Sequence, residues 1–377
     1  MPKKGTGYTL DTTKSNCTNG VVPTWDDNTY SAILNYENYN ATDYTRTKCN
    51  LYFKVKLPTV VEKITELAQT DTTDLATDDY GNTRYIGKDP NNYVSFDGDI
   101  WRIIGVMKNV DDGSGNKENR VKIIRSTLIG NYSWDTSESS VNNGLGVNEW
   151  SQADLMKLLN PGYEGESVGG SLYWNNQSGT CYNSFNNHTI SCDFTSTGIK
   201  EKLKNMLGNA VWNTGSNGTE ATYNSITTSK FYELERSTNT GKICTSGTYC
   251  TDTVERTTTW TGKIGLMYQS DYGYATSGGS TTDRATCLNT KLYSWDSSSV
   301  SECKNNDWLF NSNYQWTLSP RAYSSIACGV FYVNTSGNVA DGDAYYGSAV
   351  RPVGYLLSNT SIQSGDGSSS NPFILGL

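Results

Sequence analysis

Charge is scarce in this chain of 377 residues: only 18% are Asp, Glu, Lys or Arg, and the net charge is −8. No cluster of Lys and Arg stands out. That argues against nucleic-acid binding, because phosphate contacts need grouped cations. Histidine occurs once, at His188, inside an Asn-rich stretch. A lone imidazole builds no multi-His metal site, and as the base of a Ser or Cys nucleophile it needs Asp or Asn support. It reads as a solvated bystander. No apolar run reaches the ~18 residues that would span a membrane. Met1-Pro2-Lys3-Lys4 leads into polar residues and not into the apolar core of a signal peptide. No Gly-rich loop opens a helix to cradle phosphate, and no motif picks out a glycosidase-like carboxylate pair. Heptads and internal repeats are missing too. No cysteine pair has the spacing of a zinc knuckle. The expectation is a protein with no metal and no cofactor.

What is abundant is Ser, Thr, Asn, Gly and Tyr; aromatic residues are 12% of the chain and hydrophobic residues 35%. Low charge with many aromatics argues against disorder and suits a β-rich, loop-rich extracellular protein. Eight of the nine cysteines fall into sequential neighbours: Cys17 with Cys49, Cys181 with Cys192, Cys244 with Cys250, and Cys287 with Cys303. Spacing alone does not fix connectivity, but nearest-neighbour pairing is the simplest reading. Disulfides imply an oxidising compartment. The expected setting is extracellular, as the surface-displayed ectodomain of a longer, anchored precursor. Cys328 is left over.

Residues 1–57 read as a small disulfide-stapled β domain, a spacer whose Cys17–Cys49 bridge substitutes for a core. Residues 58–79 read as a connector. Thr59 and Glu62 form a capping box, Val60, Val61, Ile64, Leu67 and Ala68 follow at helical spacing, and Asp71 to Asp79 is an acidic linker. The main domain, residues 80–377, opens with Tyr93 to Val106, two β runs joined by Asp97-Gly98, a strong hairpin signal. Two amphipathic helices are expected next. One is opened by Ser151 and Asp154, with Leu155, Met156, Leu158 and Leu159 as its apolar face. The other carries Ile199, Leu203, Met206, Leu207, Ala210 and Val211. The Gly/Ser/Asn-rich inserts holding Cys181–Cys192 and Cys244–Cys250 read as locally stapled loops, and Lys263 to Tyr268 as a buried strand.

The stretch Tyr314 to Pro352 interleaves two kinds of position. Trp316, Leu318, Val330, Phe331, Val333, Val339 and Val350 are apolar and β-prone, and Thr335 to Asn338 is a turn between two short strands. Arg321 to Tyr323, Ile326 to Gly329 and Ala340 to Ser348 follow no period. They mix Tyr, small residues, Asp and a lone Cys. Tyr among Ser, Gly and Ala is the composition of antibody-type binding surfaces, because Tyr gives large amphipathic contact at low entropy cost.

The frame Trp316-Thr-Leu-Ser-Pro, Val330-Phe-Tyr-Val-Asn, Ser336-Gly-Asn-Val and Ala349-Val-Arg-Pro-Val resembles the variable region of proteins diversified by diversity-generating retroelements. The segments RYIGKDPNNYVSFDGDIWRIIGVM, near the start of the main domain, and GDGSSSNPF, near its end, extend the likeness over about residues 80–377. The resemblance implies an α+β C-type-lectin fold of the formylglycine-generating-enzyme subtype, with two helices packed on antiparallel β structure. It also implies that template adenines are randomised during reverse transcription. An AAC codon so treated can give, among others, Tyr, Ala, Asp, Gly, Ser, Ile, Arg and Cys, the residues found at the aperiodic positions.

On that reading the ligand contacts are Arg321, Ala322, Tyr323, Ser325, Ile326, Ala327, Cys328, Gly329, Tyr332, Ala340, Asp341, Gly342, Asp343, Tyr345, Tyr346, Gly347 and Ser348. Tyr323, Tyr332, Tyr345 and Tyr346 are the anchors, and Trp316, Pro320, Phe331 and Arg351 are scaffold. The partner is an unidentified protein or glycan on another cell, a phage or a host. Asp341 and Asp343 match no EF-hand loop and read as sampled positions, not as a required calcium site. Two other readings remain open. A fixed-specificity glycan-binding lectin predicts one ligand and an intolerant patch. An oxidase of the formylglycine-generating type needs a reactive cysteine pair; Cys287 and Cys303 read as structural, and Cys328 has no obvious partner.

Overall fold

A computed structural model describes residues 7–18, 21–26, 28–34, 48–215, 225–238, 256–321 and 328–377. The chain forms two compact units, Met1–Pro58 and Thr59–Leu377.

In the first unit the strands are short because turn-forming Asn, Asp and Thr interrupt them. Tyr8–Leu10 pairs with Phe53–Val55, Asn16–Cys17 with Cys49–Asn50, and Pro23–Asp26 with Ser31–Leu34. Among the described residues of this unit Leu10 and Pro23 are buried, and Trp25 packs edge-on against Tyr30 and Phe53. So small a core gains from a covalent tie. Cys17 and Cys49 face each other across one ladder and are bonded.

The second unit is mixed α+β, mostly sheet with few helices. Its main sheet has ten strands. Seven lie side by side in the order Leu207–Gly208, Val353–Leu356, Lys117–Arg125, Asp99–Asp111, Tyr93–Phe96, Phe373–Gly376 and Ser361–Ser364. The expected hairpin sits at its centre, and Asp97 and Gly98 both take the positive φ that its tight turn needs. A second sheet of five strands runs Asn131–Tyr132, Ser348–Ala349, Gln315–Pro320, Gly329–Val333, Val339–Asp343. Among the described residues no helix is long and apolar enough to cross a membrane.

The connector expected over residues 58–79 belongs to the second unit instead. The Thr59–Glu62 capping box is formed, and the Val60–Leu67 helix turns Val60 and Ile64 into the main core. Leu75–Thr77, inside the acidic stretch, pairs with Thr83–Tyr85. Apolar burial overrides the acidic composition. The helix expected over 199–211 is also shorter. It covers Glu201–Met206, after which Leu207–Gly208 and Ala210–Asn213 are strands. Leu207, Ala210 and Val211 stand at the i, i+3, i+4 spacing of a helix, whereas the alternate burial of Ala210 and Trp212 is that of a strand. Lys263 to Tyr268 holds only the Ile264–Gly265 strand before the buried Gln269–Tyr274 helix begins.

A charge cluster fixes that helix to the sheet. Asp271 accepts from Arg84 Nη1 at 2.6 Å and from Lys122 Nζ at 2.5 Å, while Arg84 Nε also donates to Asp78 at 2.8 Å. All four side chains are enclosed. Burial works against the Asp271 charge, but Lys122 and Arg84 outweigh it and hold the carboxyl down at about 2.

Candidate ligand-binding surface

The surface begins as a hairpin on a buried strand. Gln315–Pro320 is buried along its whole length. Trp316 Nε1 donates to the Tyr132 carbonyl at 3.0 Å, and Thr317 Oγ1 donates to the Phe331 carbonyl at 2.7 Å. Gly329–Val333 pairs with Gln315–Pro320 on one side and Val339–Asp343 on the other. Between the last two, Asn334 Oδ1 accepts from Ser336 N, and Gly337 takes φ +88°. A Cβ there would also strike the Lys304 side chain. Tyr272 pins the turn by donating to the Gly337 carbonyl at 2.6 Å. Arg351 is enclosed and donates to the carbonyls of Arg125 and Leu309.

Alternation along the hairpin separates two faces. One carries Tyr332, Ala340 and Gly342. Tyr332 lies edge-on to Tyr314 at 5.5 Å and to Trp316 at 6.0 Å. Gly342 leaves room for rings: a Cβ there would come within 2.9 Å of Tyr332 and 3.3 Å of Tyr346. Tyr346 packs against Tyr345 at 4.3 Å, and Tyr345 meets Phe185 at 5.8 Å. The result is an aromatic ridge in two runs, Tyr314 with Tyr332 and Tyr346 with Tyr345 and Phe185, which meet over Gly342. Three of its rings are about half exposed: Tyr314 51%, Tyr346 48% and Phe185 55%.

The other face buries Phe331, Val333 and Val339. Phe331 packs edge-on against Phe231 at 5.4 Å. Towards Gly329 it becomes polar. Arg321 forms an ion pair with Asp341, and Cys328 Sγ donates to Asp343 Oδ1 at 3.2 Å. Asn148 Nδ2 donates to the carbonyls of Arg321 and Gly329. Burial and the Asp343 charge push the Cys328 thiol far up, so it stays protonated and a poor nucleophile.

The expected contact residues therefore divide. Tyr346 and Gly347 are exposed; Arg321, Tyr332, Ala340, Asp341, Gly342, Asp343 and Tyr345 are partly exposed. Cys328, Gly329 and Ser348 are buried and cannot touch a ligand without rearrangement. Ala322, Tyr323, Ser325, Ile326 and Ala327 lie outside the described residues, as do Cys244 and Cys250. Cys181–Cys192 and Cys287–Cys303 are bonded as paired above. His188 is exposed at the end of a turn. No cluster of three or more His, Cys, Asp or Glu suited to a metal occurs among the described residues.

No protein-family model, curated protein or solved structure matches this chain.

Two members of the ridge escaped the sequence reading, Tyr314 and Phe185. Phe185 sits at the tip of the Ser178–Ser184 and His188–Asp193 hairpin, which the Cys181–Cys192 bond staples. Asn186 and Asn187 both take positive φ, the chemistry of a tight hairpin turn. That Asn-Asn pair between β-like runs was a readable signal for the hairpin. Its placement beside Tyr345 was not, because that depends on Gly347. A Cβ at 347 would press into Asn183, within 2.5 Å of its amide.

Proposed function

We propose that this chain is a ligand-binding receptor of the C-type-lectin type, formylglycine-generating-enzyme subtype, that presents a retroelement-diversified surface. The observation that carries the reading is the segregation within the stretch Tyr314–Pro352. Trp316, Pro320, Phe331 and Arg351 are enclosed, while Tyr332, Tyr345 and Tyr346 emerge together on a ridge with Tyr314 and Phe185. Rigid aromatic anchors over a packed scaffold are what a contact surface needs. Disulfides and the lack of a membrane-spanning helix among the described residues are compatible with an extracellular domain. The ligand on this reading is a protein or glycan on another cell, a phage or a host.

The test is deep sequencing of the locus across the source population, with a search of the flanking DNA for a template copy and a reverse-transcriptase gene. Substitutions should concentrate at adenine-bearing template codons within Arg321–Ser348. Positions 332, 345 and 346 should vary widely, and enclosed 328 and 329 should stay small. An invariant patch without a template copy would replace this reading with a fixed-specificity lectin, to be pursued on a glycan array.

A further inference from the structure

A cleft of about 450 Å³ opens between the Asp99–Asp111 strand, the Ala210–Asn213 strand and the Thr228–Glu235 helix. None of its residues belongs to the aromatic ridge. The volume lies within the roughly 300–1,000 Å³ of small-molecule sites.

Its lining combines aromatic and aliphatic side chains with cations that make no ion pair across the cleft. Tyr355 forms part of the lining, along with Met107, Val110 and Val211. Beside them is a stack of three planar groups. The rings of Tyr80 and Tyr232 lie 3.9 Å apart, and the Arg236 guanidinium sits 3.4 Å from the Tyr232 ring centre. Two groups that close to one ring cannot share a face, so Tyr232 is sandwiched between them. The stack orients Arg236. Its Nη1 donates to the Tyr232 carbonyl and to the Glu235 carboxylate, both at 3.0 Å. The Nε–Nη2 edge has no partner among the described residues, and that edge presents two parallel N–H groups that match a carboxylate. Lys108 and Lys117 also line the cleft, against Asp111 as its one acid among the described residues; Asp111 stands opposite Lys117 in the ladder without closing an ion pair. The Tyr355 hydroxyl makes no hydrogen bond among the described residues. Burial pushes its pKa up, so it stays a donor.

We propose that this cleft binds a small planar carboxylic acid as its anion. The carboxylate sits on the free edge of Arg236, and the flat body packs against Tyr80, the most exposed ring of the lining, and the partly buried Val211. The site is independent of the surface reading and stands or falls separately from it.

Matched acids and amides test the idea on the full chain. Ligand-observed NMR would compare benzoate with benzamide and indole-3-acetate with indole-3-acetamide at ~5 mM, where even a roughly millimolar ligand fills most sites. At least one acid should bind, and about tenfold or more tighter than its amide, the scale of one charge-assisted pair. Arg236→Gln should abolish that preference. Since Arg236 also neutralises Glu235, a second substitution on an exposed side chain guards against misfolding: Lys117→Glu should weaken the acid several-fold and leave the amide unchanged. The proposal is overturned if no acid binds, if acids and amides bind alike, or if folded Arg236→Gln keeps the preference. Displacement of the acid by an equal concentration of inorganic phosphate would also overturn it, since the flat body would then contribute nothing.

Discussion

Phe331 and Tyr346 come from the same stretch and answer to different constraints. Phe331 is enclosed against Phe231, so Phe331→Ala removes a packed ring and should cost about 3–5 kcal/mol. Tyr346 is half exposed and leans on Tyr345, so Tyr346→Ser should stay within about 0.5 kcal/mol. Urea denaturation of both variants measures the contrast, and equal losses would erase the distinction between scaffold and display. A second residue-scale consequence concerns acid. Asp135 and Asp154 sit together where the Asp154–Leu159 helix begins. Asp135 accepts from the amides of Val147 and Asp154, and Asp154 from that of Thr136. Burial pushes the Asp154 carboxyl from its ordinary 3.8 up to about 6, against the pull of the Thr136 amide and Lys157. Its proton is therefore held more tightly in the folded chain than in the unfolded one. The stability this contributes is complete below pH ~4 and is lost as the pH rises through ~6. Thermal melts should show the parent losing ground to Asp154→Asn across that window. A difference that does not change with pH would mean the carboxyl titrates normally.

At the scale of elements, what the sequence displayed and what it hid have the same physical origin. The Tyr93–Phe96 and Asp99–Asp111 hairpin, the Asp154–Leu159 helix and the Gly329–Val333 and Val339–Asp343 pair were legible, because their patterns are local and end in unambiguous turn residues. Residues 207–213 were not, because two short strands there carry apolar spacings that a helix shares. The Arg84, Asp78, Asp271 and Lys122 cluster joins separate segments, and each charge read alone suggests a solvated surface. The ridge follows the same logic: its Tyr residues were visible in one stretch, while Phe185 reaches it by tertiary packing. The stapled hairpin gives a test. Replacing Cys181 and Cys192 with Ala should cost about 2–4 kcal/mol. It should also raise amide hydrogen exchange over Ser178–Asp193 and loosen Phe185 from Tyr345. Unchanged exchange at the tip would show that Asn183, which donates to the Asn131 carbonyl at 2.7 Å, holds it without the bond.

For the molecule as a whole, the decisive boundary is the one at Pro58. A reader of composition alone would start the large domain near Tyr80, after the acidic stretch. The core starts earlier. Val60, Ile64 and Leu75 are enclosed with the central sheet, and Val60 N donates to the Thr360 carbonyl at 2.9 Å. The Leu75–Thr77 strand extends the sheet through Thr83–Tyr85. Each of the three side chains contributes about 1.5–3 kcal/mol of burial, against a total stability of roughly 5–15 kcal/mol for a typical fold. A chain begun at Tyr80 therefore forfeits a large share of its stability, uncovers apolar side chains of the Asp99–Asp111 and Lys117–Arg125 strands, and leaves Thr83–Tyr85 without one neighbour. A chain begun at Thr59 keeps all of these contacts. Calorimetry on the two truncations should give one cooperative transition for the Thr59 start. The Tyr80 start should melt at least ~10 °C lower or show no transition, since about 1 kcal/mol shifts a large domain by roughly 2–4 °C. Equal melting temperatures would mean that the Val60–Leu67 helix lies on the core without supporting it.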